Sequence, residues 1–147
     1  MNKFHIINDE LFQRDLKQLI DKYVKKHTDK EPNKDPVWVD QTTNLMWQVD
    51  NPEETMNWEE AIEYCKNLTY AGYNDWRLPS IKELTSIIDY SKHLPACKIE
   101  EIKSSSYWSA SIYASSSDYA WRVDFYDGNV SGYSKSDSYF VRAVRGG

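Results

Sequence analysis

Chemistry in this 147-residue chain could start from two cysteines, three histidines, or the acidic surplus that gives a net charge of −5. None of these falls into a catalytic or metal-binding spacing. Cys65 lies on the apolar side of a predicted helix, where a buried free thiol is the usual case, and Cys97 follows Pro95 in a loop. A disulfide between them is one arrangement. Residues 1–10 contain no apolar run after a basic start, so no secretory leader is read and the reduced form is expected. A metal ion would need more ligands than any cluster supplies. His5, His27 and His93 are isolated, and no Asp/Glu pair is spaced for acid–base work. The expectation is therefore no catalytic residue, no metal and no cofactor. Recognition chemistry is another matter. Tyr113, Tyr119, Tyr126, Tyr133 and Tyr139 are spread among serines, aspartates and glycines. Antibody loops use the same mixture: tyrosine gives rigid contact area with a polar tip, and small polar residues adapt around it.

That mixture begins abruptly at Ser104. From there to Phe140 the chain has no Glu, Gln, Met, Leu or Thr, and Lys135 is its single lysine. Strand-like alternation is embedded in the run. Trp121, Val123 and Phe125 face one way; Arg122, Asp124 and Tyr126 are expected to project together from the other. Asp127-Gly128-Asn129 is a turn signal, so Ala120 to Gly132 reads as a hairpin. Val141 to Arg145 reads as a closing strand with no assigned inward face.

The genetic code sharpens this pattern. Asparagine codons of the AAY type, with only their adenines replaced, can encode Ser, Tyr, Asp, Gly, Ile, Arg and Phe, but never Glu, Gln, Lys, Met or a stop. That set matches Ile112, Ser116, Asp118, Tyr119, Arg122, Asp124, Tyr126, Asp127, Ser131, Gly132, Tyr133, Ser134, Asp137, Tyr139 and Phe140. Between them stand fixed-looking scaffold residues: Trp108, Ala120, Trp121, Val123, Phe125, Gly128, Val130 and Lys135.

The rest of the chain must hold this stretch in place. Leu11, Phe12, Leu16, Leu19, Ile20, Tyr23 and Val24 form a helical apolar stripe over Asn8 to about Lys26. Asn8 is the expected cap, Asp9 and Glu10 suit the positive end of the dipole, and Lys22, Lys25 and Lys26 suit the other. The stripe fits packing on its own domain or self-association. Residues 27–36 are polar with two prolines and read as a linker. Its Glu31-Pro32-Asn33 matches a sugar-binding tripeptide of calcium-dependent lectins, but the acidic partners and Trp-Asn-Asp strand of such sites are missing; chance explains it better. Val37-Trp38-Val39 and Leu45-Met46-Trp47 flank a polar turn as a hairpin. Asn57 with Glu60 caps a helix that buries Trp58, Ala61, Ile62, Cys65 and Leu68, with Gly72 as its expected stop. Trp76 and Leu78 alternate with Asp75 and Arg77, and Ser80 with Glu83 caps a further helix to about Tyr90, burying Ile81, Leu84, Ile87 and Ile88.

Several ordered motifs then converge. Thr43-Asn44-Leu45-Met46-Trp47 is followed by Trp58, Ala61, Tyr64 and Cys65, and by Gly72 to Ser80 with Glu83-Leu84. Tyr107-Trp108-Ser109, Ala120-Trp121, Phe125 with Gly128, and Val141-Arg142-Ala143-Val144-Arg145 complete the set. Together they resemble the Lcl C-terminal domain of collagen-like adhesins, over about Val37 to Gly147. The resemblance implies an α+β, C-type-lectin-like fold: two helices flanking a small, twisted, mostly antiparallel sheet, here with an added N-terminal helix. Residues 1–36 would be helix and linker, and 37–147 the domain. Formylglycine-generating enzymes share that fold, but Cys65 and Cys97 are not in the C-terminal region where their chemistry would be expected. Adenine-restricted variation on such a domain is similar to the variable proteins of diversity-generating retroelements. The fifteen residues above would then be a ligand-binding face for a protein or surface-glycan target; a non-varying adhesin-type carbohydrate module is the alternative. The acidic balance argues against a nucleic-acid partner, and no segment is apolar enough to span a bilayer. The chain is expected to be cytoplasmic as made, with display on a virion or cell surface requiring another route.

Overall fold

The computed structural model describes residues 9–28 and 34–147. The chain divides into two compact units, 1–34 and 35–147. The first holds α1 (Asp9–Thr28), a single helix whose apolar residues, from Leu11 to Val24, are all exposed. The expected cap Asn8 and the tripeptide at 31–33 lie outside the described residues.

The second unit is α+β. Its first sheet has the order β1 (Val37–Val39), β2 (Met46–Gln48), β6 (Val144–Arg145). The predicted hairpin forms with Trp38 opposite Trp47, and Val144 pairs with Trp47 from the other side. Asn44 turns the corner at φ +58°, a left-handed conformation that asparagine tolerates better than most residues. Both expected capping boxes are present. Asn57 and Glu60 cap α2 (Trp58–Lys66), and Ser80 and Glu83 cap α3 (Ile81–Ser86).

Two boundaries differ from expectation. Helix α2 ends at Asn67, five residues before Gly72, whose φ of +82° instead serves a tight turn closed by paired Tyr70 and Tyr73 backbone bonds of 2.9 and 3.0 Å. Helix α3 stops before Tyr90. It ends at Ser86, where the backbone leaves the helix to pair with residues 96–98: Asp89 N–H donates to the Ala96 carbonyl (3.1 Å) and Lys98 N–H to the Ile87 carbonyl (2.9 Å). Ile87 and Ile88 are buried even so.

Trp76 and Leu78 are buried while Asp75 and Arg77 are exposed, as the alternation predicts. The exposed pair ties the C-terminus down. Arg77 grips Glu83 at 2.6 and 2.7 Å and donates to the Gly146 carbonyl at 2.9 Å. Arg145 grips Asp75 at 2.6 and 3.0 Å. These guanidinium bonds hold the Glu83 and Asp75 carboxyls below their ordinary range.

The core has two centres. One gathers Leu45, Trp47, Leu84, Ile87, Cys97, Tyr107, Val123 and Phe125; the other Ala61, Cys65, Trp76, Leu78, Trp108, Ala120 and Val141. Each thus contains one cysteine, and both are free. Burial pushes the Cys65 thiol up to about 12 and the Cys97 thiol up to about 11. With almost no thiolate at mildly alkaline pH, neither should react with an aromatic disulfide reagent in the folded chain, and both should react once urea unfolds it.

The domain also holds a buried cation that sequence patterning did not assign. Arg142 is fully buried. Its guanidinium donates to the carbonyls of Gln48 (2.6 Å), Val49 (2.9 Å) and Glu101 (3.3 Å), and to Asn51 Oδ1 (2.6 Å).

Candidate binding face

The second sheet carries most of the candidate residues. Its order is β3 (Ser106–Ile112), β4 (Tyr119–Asp124), β5 (Asn129–Ser134), antiparallel throughout. β4 and β5 form the expected hairpin, with Val123 opposite Val130 and Asp124 opposite Asn129. Gly128 closes the turn at φ +85°, and a Cβ there would come within 2.7 Å of Tyr90 and 2.8 Å of Ile88. Both the backbone and the packing therefore require glycine.

One face of this sheet packs into the first core centre. Tyr107, Val123 and Phe125 are fully buried, with Val130 packed against them. Trp121 shares their side but is only half-buried, with the Tyr113 ring 4.7 Å away. Tyr113 also lies over Gly132, where an added Cβ would meet its ring at 2.5 Å. Gly132 is thus a packing position as well as a candidate surface residue.

The opposite face carries Ser106, Trp108, Ala120, Arg122, Asp124, Ser131 and Tyr133 in register, and its Trp108 and Ala120 belong to the second core centre. Here one expectation fails. Arg122 does not project into solvent; it is buried at 8% exposure. The segment after β5 returns along β3, bonding Trp108 N–H to the Phe140 carbonyl at 3.0 Å, and so brings Tyr139 over the sheet. Tyr133 and Tyr139 cover the Arg122 guanidinium at 4.0 and 5.0 Å, while Ser106 and Asp124 take its hydrogen bonds. A flat aromatic ring shields an arginine while still stabilising its charge, which is why strand alternation alone misplaces this side chain. Tyr139 in turn stands edge-on to the buried Trp108 at 4.8 Å.

The other candidates are at least partly open. Ile112, Asp118, Tyr119, Tyr126, Asp127, Tyr133 and Asp137 are exposed; Ser116, Asp124, Ser131, Gly132, Ser134, Tyr139 and Phe140 are half-buried. They do not form one patch. Tyr126 and Asp127 sit at the hairpin turn, and Asp118 and Tyr119 at the far end of β4, about 17 Å along the strand. At that far end a polar groove of about 570 Å³ brings Asp118, Ser134 and Lys135 together with Asn57, Glu59, Ser117 and Ser136. The Lys135 ammonium lies 4.3 Å above the Trp58 ring, and the Trp58 backbone N–H donates to the Lys135 carbonyl at 3.1 Å. Sequence reasoning missed the contribution of the α2 start. Its one available signal was a lone lysine in a serine- and tyrosine-rich run.

The motifs in this scaffold are decisive for kinship. Residues 36–145 match the family model of the Lcl C-terminal domain. The chain belongs to that family. No curated protein matches the chain in sequence. In Lcl C-terminal domain terms, the matched span takes in both sheets, both capped helices and every candidate face residue, and leaves α1 outside. Among the described residues no helix is long and apolar enough to cross a membrane.

Proposed function

We propose that this Lcl C-terminal domain is a ligand-binding protein of C-type-lectin-like fold that recognises a protein or surface glycan, not an enzyme. Its Tyr/Ser/Asp-rich surface is diversified through adenine-directed mutagenesis by a retroelement. One observation carries the reading: the adenine-reachable residues and the scaffold residues separate by burial. Among the former only Arg122 is buried, whereas five of the eight scaffold residues are: Trp108, Ala120, Val123, Phe125 and Gly128, with Trp121, Val130 and Lys135 half-buried. Exposed substitutions usually change stability little, so a face of this kind can vary while the domain persists. The protonated thiols in separate core centres support recognition over cysteine chemistry.

The groove beside Trp58 favours a second reading, a fixed glycan site. Its lining of Asn, Glu, Asp and Ser suits sugar hydroxyls, and neither Glu59 nor Lys135 is reachable from an AAY codon. The gene separates the two. The diversified reading predicts TCY or AGY codons at Ser116, Ser131 and Ser134, with a near-copy differing at adenines beside a reverse transcriptase. TCA or TCG codons at those serines would exclude it and leave the fixed site.

A further inference from the structure

We infer that α1 is a self-association helix whose occupant is the α1 of a second copy of this chain, packed antiparallel. The apolar side chains of Leu11, Phe12, Leu16, Leu19 and Ile20 are between 40% and 65% exposed, which is a large apolar area for one helix to leave in water. Phe12, Leu16, Leu19 and Tyr23 follow the alternating four- and three-residue steps of a coiled-coil seam. In an antiparallel pair each seam position meets the position whose number complements its own. Phe12 then faces Tyr23 of the second copy, and Leu16 faces Leu19, so no apolar position meets a polar one.

Charge selects this direction. With Leu16 and Tyr23 as the a positions, the g positions flanking the seam are Asp15 and Lys22. Antiparallel packing places g beside g of the second copy, so Asp15 meets Lys22 twice, once on each side of the twofold axis. Parallel packing would place Asp15 beside Ile20 and leave both charges unpaired. Glu10 near the helix start and the lysines at positions 25 and 26 repeat the same polarity, acidic first and basic last. Twenty residues make a bar about 30 Å long, whose two C-terminal ends point in opposite directions. If the domains bind ligand as proposed above, the pair carries two linked sites, and linked sites that can be engaged together bind far more strongly than either alone.

Sedimentation equilibrium of the full chain tests the inference without any ligand, so its failure is distinct from failure of the binding reading. The chain should associate at micromolar concentrations to twice its 17.3 kDa mass. Leu16→Asp with Leu19→Asp should make it monomeric while leaving the melting of residues 35–147 unchanged, because neither side chain belongs to that unit's core. Lys22→Asp alone should weaken the dimer about tenfold, and Asp15→Lys with Lys22→Asp together should restore it. A monomer at every concentration, as expected if α1 packs on its own chain, would overturn self-association. A dimer indifferent to the leucine changes would overturn the seam, and a double swap that fails to restore would overturn the antiparallel order.

Discussion

Arg142→Met unfolds more of this domain's stability than its single-residue size suggests, by about 3–5 kcal/mol. The methionine fills similar space but donates nothing, so three backbone carbonyls and Asn51 Oδ1 lose a buried partner together. A domain of this size is stable by only about 5–15 kcal/mol, so the loss is a large share of the total. Arg142→Lys should recover a minority of it, since an ammonium is a point charge and cannot fork across acceptors on two separate segments. Urea unfolding reads both variants. The midpoint should fall while the slope stays constant, because the same surface is exposed on unfolding.

The second large effect contrasts two aromatic residues of the same stretch. Trp108→Ala should cost about 3–5 kcal/mol. Trp108 is fully buried in the core centre containing Ala61, Trp76 and Val141, and its ring N–H is bonded to the Met56 carbonyl at 2.9 Å. Tyr126→Ala should change stability by less than about 0.5 kcal/mol, because that ring is 55% exposed at the hairpin turn. Tyr133→Ala falls between them, at about 1 kcal/mol, since its ring covers the buried Arg122 guanidinium. Thermal melts of the three variants should order them as Trp108, Tyr133, Tyr126, from most to least destabilised.

Features governed by neighbours in sequence were legible before the structure. Both capping boxes, the two hairpins and the alternation of Trp76 and Leu78 with Asp75 and Arg77 depend on residues a few positions apart. What was hidden depends on contacts from far along the chain. Arg142 is buried because residues 48 to 51 and Glu101 surround it with acceptors, and nothing in Val141-Arg142-Ala143 signals that. Arg122 follows strand periodicity to the side of β4 opposite Val123, yet that side is packed as well, with Trp108 and Ala120 in the second core centre and Tyr139 over the guanidinium by a chain return no local pattern announces. The groove beside Trp58 is assembled from the start of α2, the β3–β4 loop and the residues after β5, three segments with no common motif. The end of α3 was hidden for the same reason, because residues 87 to 89 leave the helix to pair with residues 96 to 98.

The claim beneath the functional reading is that one set of residues maintains the domain and another is free to vary. A saturation scan of the fifteen face positions and eight scaffold positions, scored by resistance to proteolysis, measures it directly. Substitutions at Ile112, Asp118, Tyr119, Tyr126, Asp127 and Asp137 should cost less than about 0.5 kcal/mol, and those at Trp108, Val123, Phe125, Gly128 and the roofed Arg122 more than about 2 kcal/mol. Equal intolerance at the two groups of positions would contradict the account, because a surface that cannot change without unfolding the domain cannot be a diversified binding face.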